Sequence, residues 1–137
     1  MSLVIKKLDK KSLIKNIVKI INISKINYWT FKNFTKDLPG KWEKSIGVFN
    51  KLNNQIIAYC IISQKGETLH IHLLMVSDKY QGKGIGSKIL KSIDVGNSRK
   101  INVKTYTHLR RTVNFYLKNN FKIENTNNKT ILLSKKI

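Results

Sequence analysis

Between an apolar run and a helix-like segment the chain reads "YQGKGIGSKIL", Tyr80 to Leu90, with Gly82, Gly84 and Gly86 at alternate positions. Only seven glycines occur in the chain, so three of them spent here constrain the fold more than any other feature. Glycine costs backbone entropy, most of all near a helix start, and is kept where bare or left-handed backbone is needed. The dinucleotide fingerprint fails, because Ser87 or Ile89 stands where its third glycine belongs. The nucleotide-triphosphatase phosphate loop fails too, for want of Gly-Lys after a four-residue gap. What remains is a strand, a tight turn and a helix N-terminus, which aims successive N–H groups and a positive dipole end at one spot. That spot suits a pyrophosphate, with Lys83 and Lys88 adding charge at its mouth. The same residues also read as a plain strand-to-helix connection that binds nothing.

The flanking sequence predicts a mixed α/β sheet. "SLVIKKL" (Ser2–Leu8) reads as a first strand. From Lys10, Leu13, Ile14, Ile17, Ile20 and Ile21 follow helical spacing behind a cap at Asp9, and Asn27 to Phe34 reads as a shorter helix. "LPG" (Leu38–Gly40) breaks the chain. Ser45–Asn50, Gln55–Ser63 and Thr68–Val76 are strand-like, joined by turn residues in "LNN" and "QKGE", and predict an antiparallel meander. After the glycines, Ile85, Ile89, Leu90 and Ile93 mark a helix ending near Gly96. Ile101–Thr107 is a further strand, and Leu109, Val113, Tyr116 and Leu117 mark another helix. Phe121–Asn125 with Thr130–Ser134 predict a closing hairpin. At 137 residues, without repeat or linker, the reading is one domain, 1–137.

Composition narrows the class. One cysteine, Cys60, leaves no disulfide framework and no cysteine-rich zinc site, and no metal is expected. Lysines interrupt the apolar N-terminal region, so no membrane partner is expected and a cytoplasmic location is the default. The net charge of +20 invites a nucleic-acid reading. Lys, Asn and Ile enrich the whole chain, however, and only Arg99, Arg110 and Arg111 are arginine, so the charge reads first as composition.

Two motifs then carry a resemblance. "QGKGIG" (Gln81–Gly86) resembles motif A of the GNAT acyl-CoA N-acyltransferases, Gln/Arg-x-x-Gly-x-Gly/Ala, with Gln81, Gly84 and Gly86 at its fixed positions. "LLMVSDKY" (Leu73–Tyr80) is similar to the strand leading into that loop, and "NFYLKNNF" (Asn114–Phe121) resembles the later "FYxxxGF" signature. The resemblance covers the order of elements from first strand to last. It implies the GNAT fold, a mostly antiparallel sheet of about seven strands flanked by about four helices, and acetyl-CoA as donor to a primary amine. The implied cofactor-binding residues are Gln81, Gly82, Lys83, Gly84, Ile85, Gly86 and Ser87 for the phosphates and backbone groups of Leu74, Met75 and Val76 for the thioester arm. Tyr116 takes the family's tyrosine position as the acid that protonates the leaving thiolate, a phenol of pKa about 10 against a thiol of about 8.5. His70 and His72, two apart on one strand face, are the candidate bases; His108 and Glu67 are poorer ones.

Departures from the family pattern fall outside the loop. Leu109 stands where an asparagine often contacts the arm, Thr112 replaces a smaller residue, and Asn120 replaces a glycine. Specificity is expected from the aromatic segment Ile26–Lys44 and the closing hairpin. The expected acceptor is a small-molecule amine, an amino sugar or nucleotide-linked amino sugar among them. A protein amine, an aminoacyl-RNA, RNA binding without turnover and an acyl-CoA sensor stay open as alternatives. Homodimers are common in the family, and no residue pattern here requires one.

Overall fold

A computed structural model of the chain describes residues 2–25 and 29–137. Its strands are β1 (Leu3–Lys7), β2 (Ile46–Asn50), β3 (Ile56–Lys65), β4 (Thr68–Val76), β5 (Lys100–Tyr106), β6 (Lys122–Thr126) and β7 (Thr130–Lys136). They form one sheet in the order β1-β2-β3-β4-β5-β7-β6, in which only β4 and β5 run parallel. The meander predicted for Ser45 to Val76 is present. β3 sits inside it with Ile56 to Ile62 all buried, the pattern of a strand covered on both faces.

Helices cover both faces. α1 (Lys10–Lys15), α2 (Ile17–Ser24) and α3 (Phe31–Thr35) place Leu13, Ile20, Ile23 and Phe34 against Tyr59, Ile61 and Leu73. α5 (Ile85–Ser92) and α6 (Arg110–Lys118) place Ile85, Ile89, Val113 and Tyr116 on the opposite face, against Cys60, Ile62, Leu69 and Ile71. A short α4 (Lys41–Lys44) follows the proline turn. Lys41 is buried, its ammonium donating to the carbonyls of Phe34 (2.8 Å), Lys36 (2.7 Å) and Asn33 (3.3 Å) at the end of α3.

Six α-helices occur among the described residues, two more than expected. The run from Lys10 divides at Asn16, whose side-chain amide donates to the Ser12 carbonyl at 2.8 Å and so competes with the helix ladder. Asp9 does cap α1, accepting from the Ser12 N–H at 2.8 Å. The helix expected from Asn27 begins at Phe31; Asn27 and Tyr28 lie outside the described residues. The helix after the glycines ends at Ser92, short of Gly96, because Ile93 leaves it with an extended backbone.

Candidate active site

The site begins where two parallel strands part. β4 pairs with β5 only from Thr68 to Ile71, opposite Lys100 to Val103. On its other side β4 stays with β3 as far as Val76, but Ile62 faces Ile71 while Ile61 faces Leu73, leaving His72 as the extra residue of a bulge. A bulge bends its strand and raises the local twist. Beyond it, the β5-facing backbone of β4 has no strand partner among the described residues, while β5 continues along β7.

A cavity of about 500 Å³ opens into this gap. Leu74, Met75 and Val76 form one wall, the glycine turn and the start of α5 a second, and Arg111, Thr112, Phe115 and Tyr116 of α6 a third; Ile23, Ser24 and Lys25 reach it from the end of α2. Gly82 (φ 74°) and Gly84 (φ 79°) adopt the left-handed conformation, and a Cβ on either would meet no atom within 4 Å. Their backbone is therefore open toward the solvent side of the loop. Gly86 has another reason: its Cβ would lie 2.9 Å from Phe115 Cζ and 3.0 Å from Cε1, so only glycine lets the first turn of α5 touch that ring. The Gln81 side chain holds the end of β4, donating to the Val76 carbonyl at 3.0 Å and to Asp78 at 3.3 Å.

Tyr116 lies 3% exposed, clasped between Phe115 and Phe121 with ring centroids 5.1 and 5.2 Å away, and lines the cavity. Among the described residues its hydroxyl has no hydrogen-bond partner. Burial, with a smaller contribution from Cys60 beside it, pushes its pKa above the usual phenol value, so it holds its proton.

The cavity thus gathers Leu74, Met75, Val76, Gln81, Gly82, Gly84, Ile85, Gly86, Ser87, Thr112 and Tyr116 from the sequence-derived set. Four members lie outside its lining. Lys83 is exposed, its ammonium 5.8 Å from the Tyr80 ring centroid. Leu109 is the N-cap residue of α6 and 39% exposed. His70 and His72 do share one side of β4, with rings 4.6 Å apart, but His70 is held by Asn102 and His72 by Ser63 at 2.7 Å. Burial, then the neighbouring His70 and Lys41, lower the His72 pKa to about 4, which makes it a weak proton acceptor at neutral pH. Among the lining residues that sequence reasoning missed are Lys25, Asp78, Arg111 and Phe115. Phe115 stands three residues after Thr112 and four after Arg111, so Phe115 could have been found from its helical spacing to Thr112, and Arg111 from its spacing to Phe115; Lys25 and Asp78 carry no local signal.

Among the described residues there is no cluster of three or more His, Cys, Asp or Glu side chains able to hold a metal ion, and no helix long and apolar enough to cross a membrane. An acetyltransferase (GNAT) domain model matches residues 44–123. No curated protein matches the chain. Among solved structures, it overlays on the ribosomal-protein-S18-alanine N-acetyltransferase from Escherichia coli with a TM-score of 0.83 at 14% identity, covering 98% of this chain and 94% of that one. Ard1 from Thermoplasma volcanium gives 0.79 at 16% identity, covering 100% and 99%. The PaiA N-acetyltransferase from Thermoplasma acidophilum, solved in complex with coenzyme A, gives 0.75 at 17% identity and covers the whole of both chains.

Proposed function

The chain belongs to the GNAT acetyltransferase family, and we propose that it moves an acetyl group from acetyl-CoA directly to the primary amine of a small, negatively charged acceptor. The observation that carries this reading is the cavity itself: unpaired strand backbone on one wall, open glycine backbone at a helix start on another, and an unbonded, protonated tyrosine on the third. Acetyl-CoA supplies the acyl group as an activated thioester. Gly82 to Ser87 bind its phosphates through backbone N–H groups and the dipole of α5. Leu74, Met75 and Val76 hold its arm as a further strand would be held, and an N–H of Met75 or Val76 is the donor for the acyl oxygen. Thr112 adds a hydroxyl to the wall along the arm. Tyr116 donates a hydrogen bond to the departing sulfur, and the proton that the amine nitrogen loses as the amide forms passes through that bond to the sulfur, so the thiol leaves neutral and the phenol, its pKa raised, ends each turnover protonated. His70 and His72, tied to Asn102 and Ser63, stay in this scheme behind β4, and the amine arrives already deprotonated.

Charge selects the acceptor class. Asp78 is the one carboxylate among the described lining residues, set against the two cations Lys25 and Arg111, so the lining does not favour a polycation. An anionic amine is drawn in by a chain of net charge +20. A protein amine is the second reading, supported by the likeness to an enzyme for a ribosomal-protein alanine.

Calorimetric titration with acetyl-CoA, repeated on Gly84→Glu, tests the cavity's purpose. Micromolar binding that the variant abolishes is expected; no binding to the wild type at low salt would remove the reading. Free-thiol release with amino sugars, nucleotide-linked amino sugars and an Ala-initiated peptide then separates the acceptor classes.

A further inference from the structure

A second cavity of about 380 Å³ lies on the β2–β3 side of the turn that follows β4. Ile23, Lys25, Asp78 and Tyr80 line it and the first cavity alike, so they form the partition between the two. Within that partition the Lys25 ammonium is ion-paired with the Asp78 carboxylate. The pair ties the end of α2, which Lys25 closes in the left-handed conformation (φ 52°), to the loop leading into α5.

An acidic side chain is out of place in a cavity that takes a polyanion. Asp78 is accommodated there because Lys25 cancels its charge, and a polyanion entering the cavity offers the same ammonium a more highly charged partner. We propose that Lys25 is a cofactor-recognition residue that exchanges partners: it pairs with Asp78 in the empty site and with the phosphates of acetyl-CoA in the filled one. This rests on the acetyl-CoA reading above. Both side chains are mostly exposed, 64% and 63%, and an exposed pair of this kind contributes little to stability, so breaking it is cheap. Asp78 is not stranded by the exchange, because its other oxygen already accepts from the Gln81 amide and the rest of it is hydrated. A lysine–phosphate contact, by contrast, is a charge-assisted bond to a multiply charged group.

The experiment compares acetyl-CoA, by calorimetry, with acetyl-pantetheine, the same thioester without phosphates, by protein-detected NMR titration. Lys25→Met is expected to weaken acetyl-CoA about tenfold and to leave acetyl-pantetheine unchanged, since only the phosphates lose a contact. Asp78→Asn is expected to tighten acetyl-CoA by about threefold or more, because Lys25 no longer has to leave an ionic partner. Equal losses for the two ligands in Lys25→Met would make Lys25 a shape-holding residue and overturn the exchange. So would an Asp78→Asn variant that binds acetyl-CoA as poorly as Lys25→Met, because the intact pair would then be what the cofactor needs. A wild-type protein that binds no acetyl-CoA overturns the cofactor reading first, and that result is read before any variant is made.

Discussion

Gly86→Ala is a substitution on which two rules disagree. Gly86 is the second residue of α5 and has no positive φ, so replacing it with alanine would ordinarily favour the helix by up to about 1 kcal/mol. Here the new methyl would stand 2.9 Å from Phe115 Cζ, 3.0 Å from Cε1 and 3.6 Å from Leu74 Cδ2. Carbon atoms prefer separations of about 3.5–4.0 Å, so the ring must retreat by several tenths of an ångström. Overpacking of this kind costs about 1–3 kcal/mol. The balance is a net loss of about 1 kcal/mol. With an unfolding entropy of about 2.1 cal/mol/K per residue over the 137 residues, that lowers Tm by about 3–4 °C. Phe115 is backed by Tyr116, and the open side left to it is the cavity, so the displaced ring also narrows the space proposed for acetyl-CoA. Scanning calorimetry should show the drop in Tm, and an acetyl-CoA titration should show weaker binding than wild type. Adding Phe115→Leu should recover part of both. A Tm that rises in the single variant would mean that helix propensity acts alone and that Phe115 does not pack on Gly86.

Two other outcomes test the site and its surroundings. Tyr116→Phe should lower turnover by about a hundredfold or more while acetyl-CoA affinity holds, as expected for a lost proton donor; matching losses in the titration and the thiol-release assay would assign Tyr116 to packing. The lowered pKa of His72 makes the folded state bind fewer protons than the unfolded state between about 4 and 6.5, so stability falls as pH drops through that window. After a discount for partial exposure, the expected loss from pH 7 to pH 4 is about 2 kcal/mol, read as the difference between chemical denaturation of wild type and of His72→Gln; parallel pH profiles for the two would refute it.

Local chemistry made most of the fold legible. The unbroken apolar run of β3, the alternation in β4 and the turn residues between them were enough for the meander, because each pairing there joins neighbours in sequence. Asp9 was readable as a cap for the same reason. The break at Asn16 was not, since Leu13, Ile14, Ile17, Ile20 and Ile21 keep one period straight through it. What divides the helix is a side-chain bond to the Ser12 carbonyl, a choice between two partners that periodicity does not express. The placing of β7 between β5 and β6 is also non-local, and neither periodicity nor turn residues express it.

The site divides along the same line. The three glycines looked like one device, yet Gly82 and Gly84 serve backbone conformation whereas Gly86 serves contact with a ring on α6. The spacing of His70 and His72 correctly put both on one side of β4, but whether that side meets the cavity depends on the bulge at His72, which turns Leu73 to the α2 face and sends Leu74 to Val76 into the gap beside β5. In the proposed function the motif marks the backbone left bare for an anion. It says nothing of the side chains that balance the anion's charge, because these can come from any element that packs close by. Lys25 and Asp78 lie 53 positions apart and meet because α2 packs on β3 and β4, so the charge balance of the cavity is set by helix packing and not by the glycine loop.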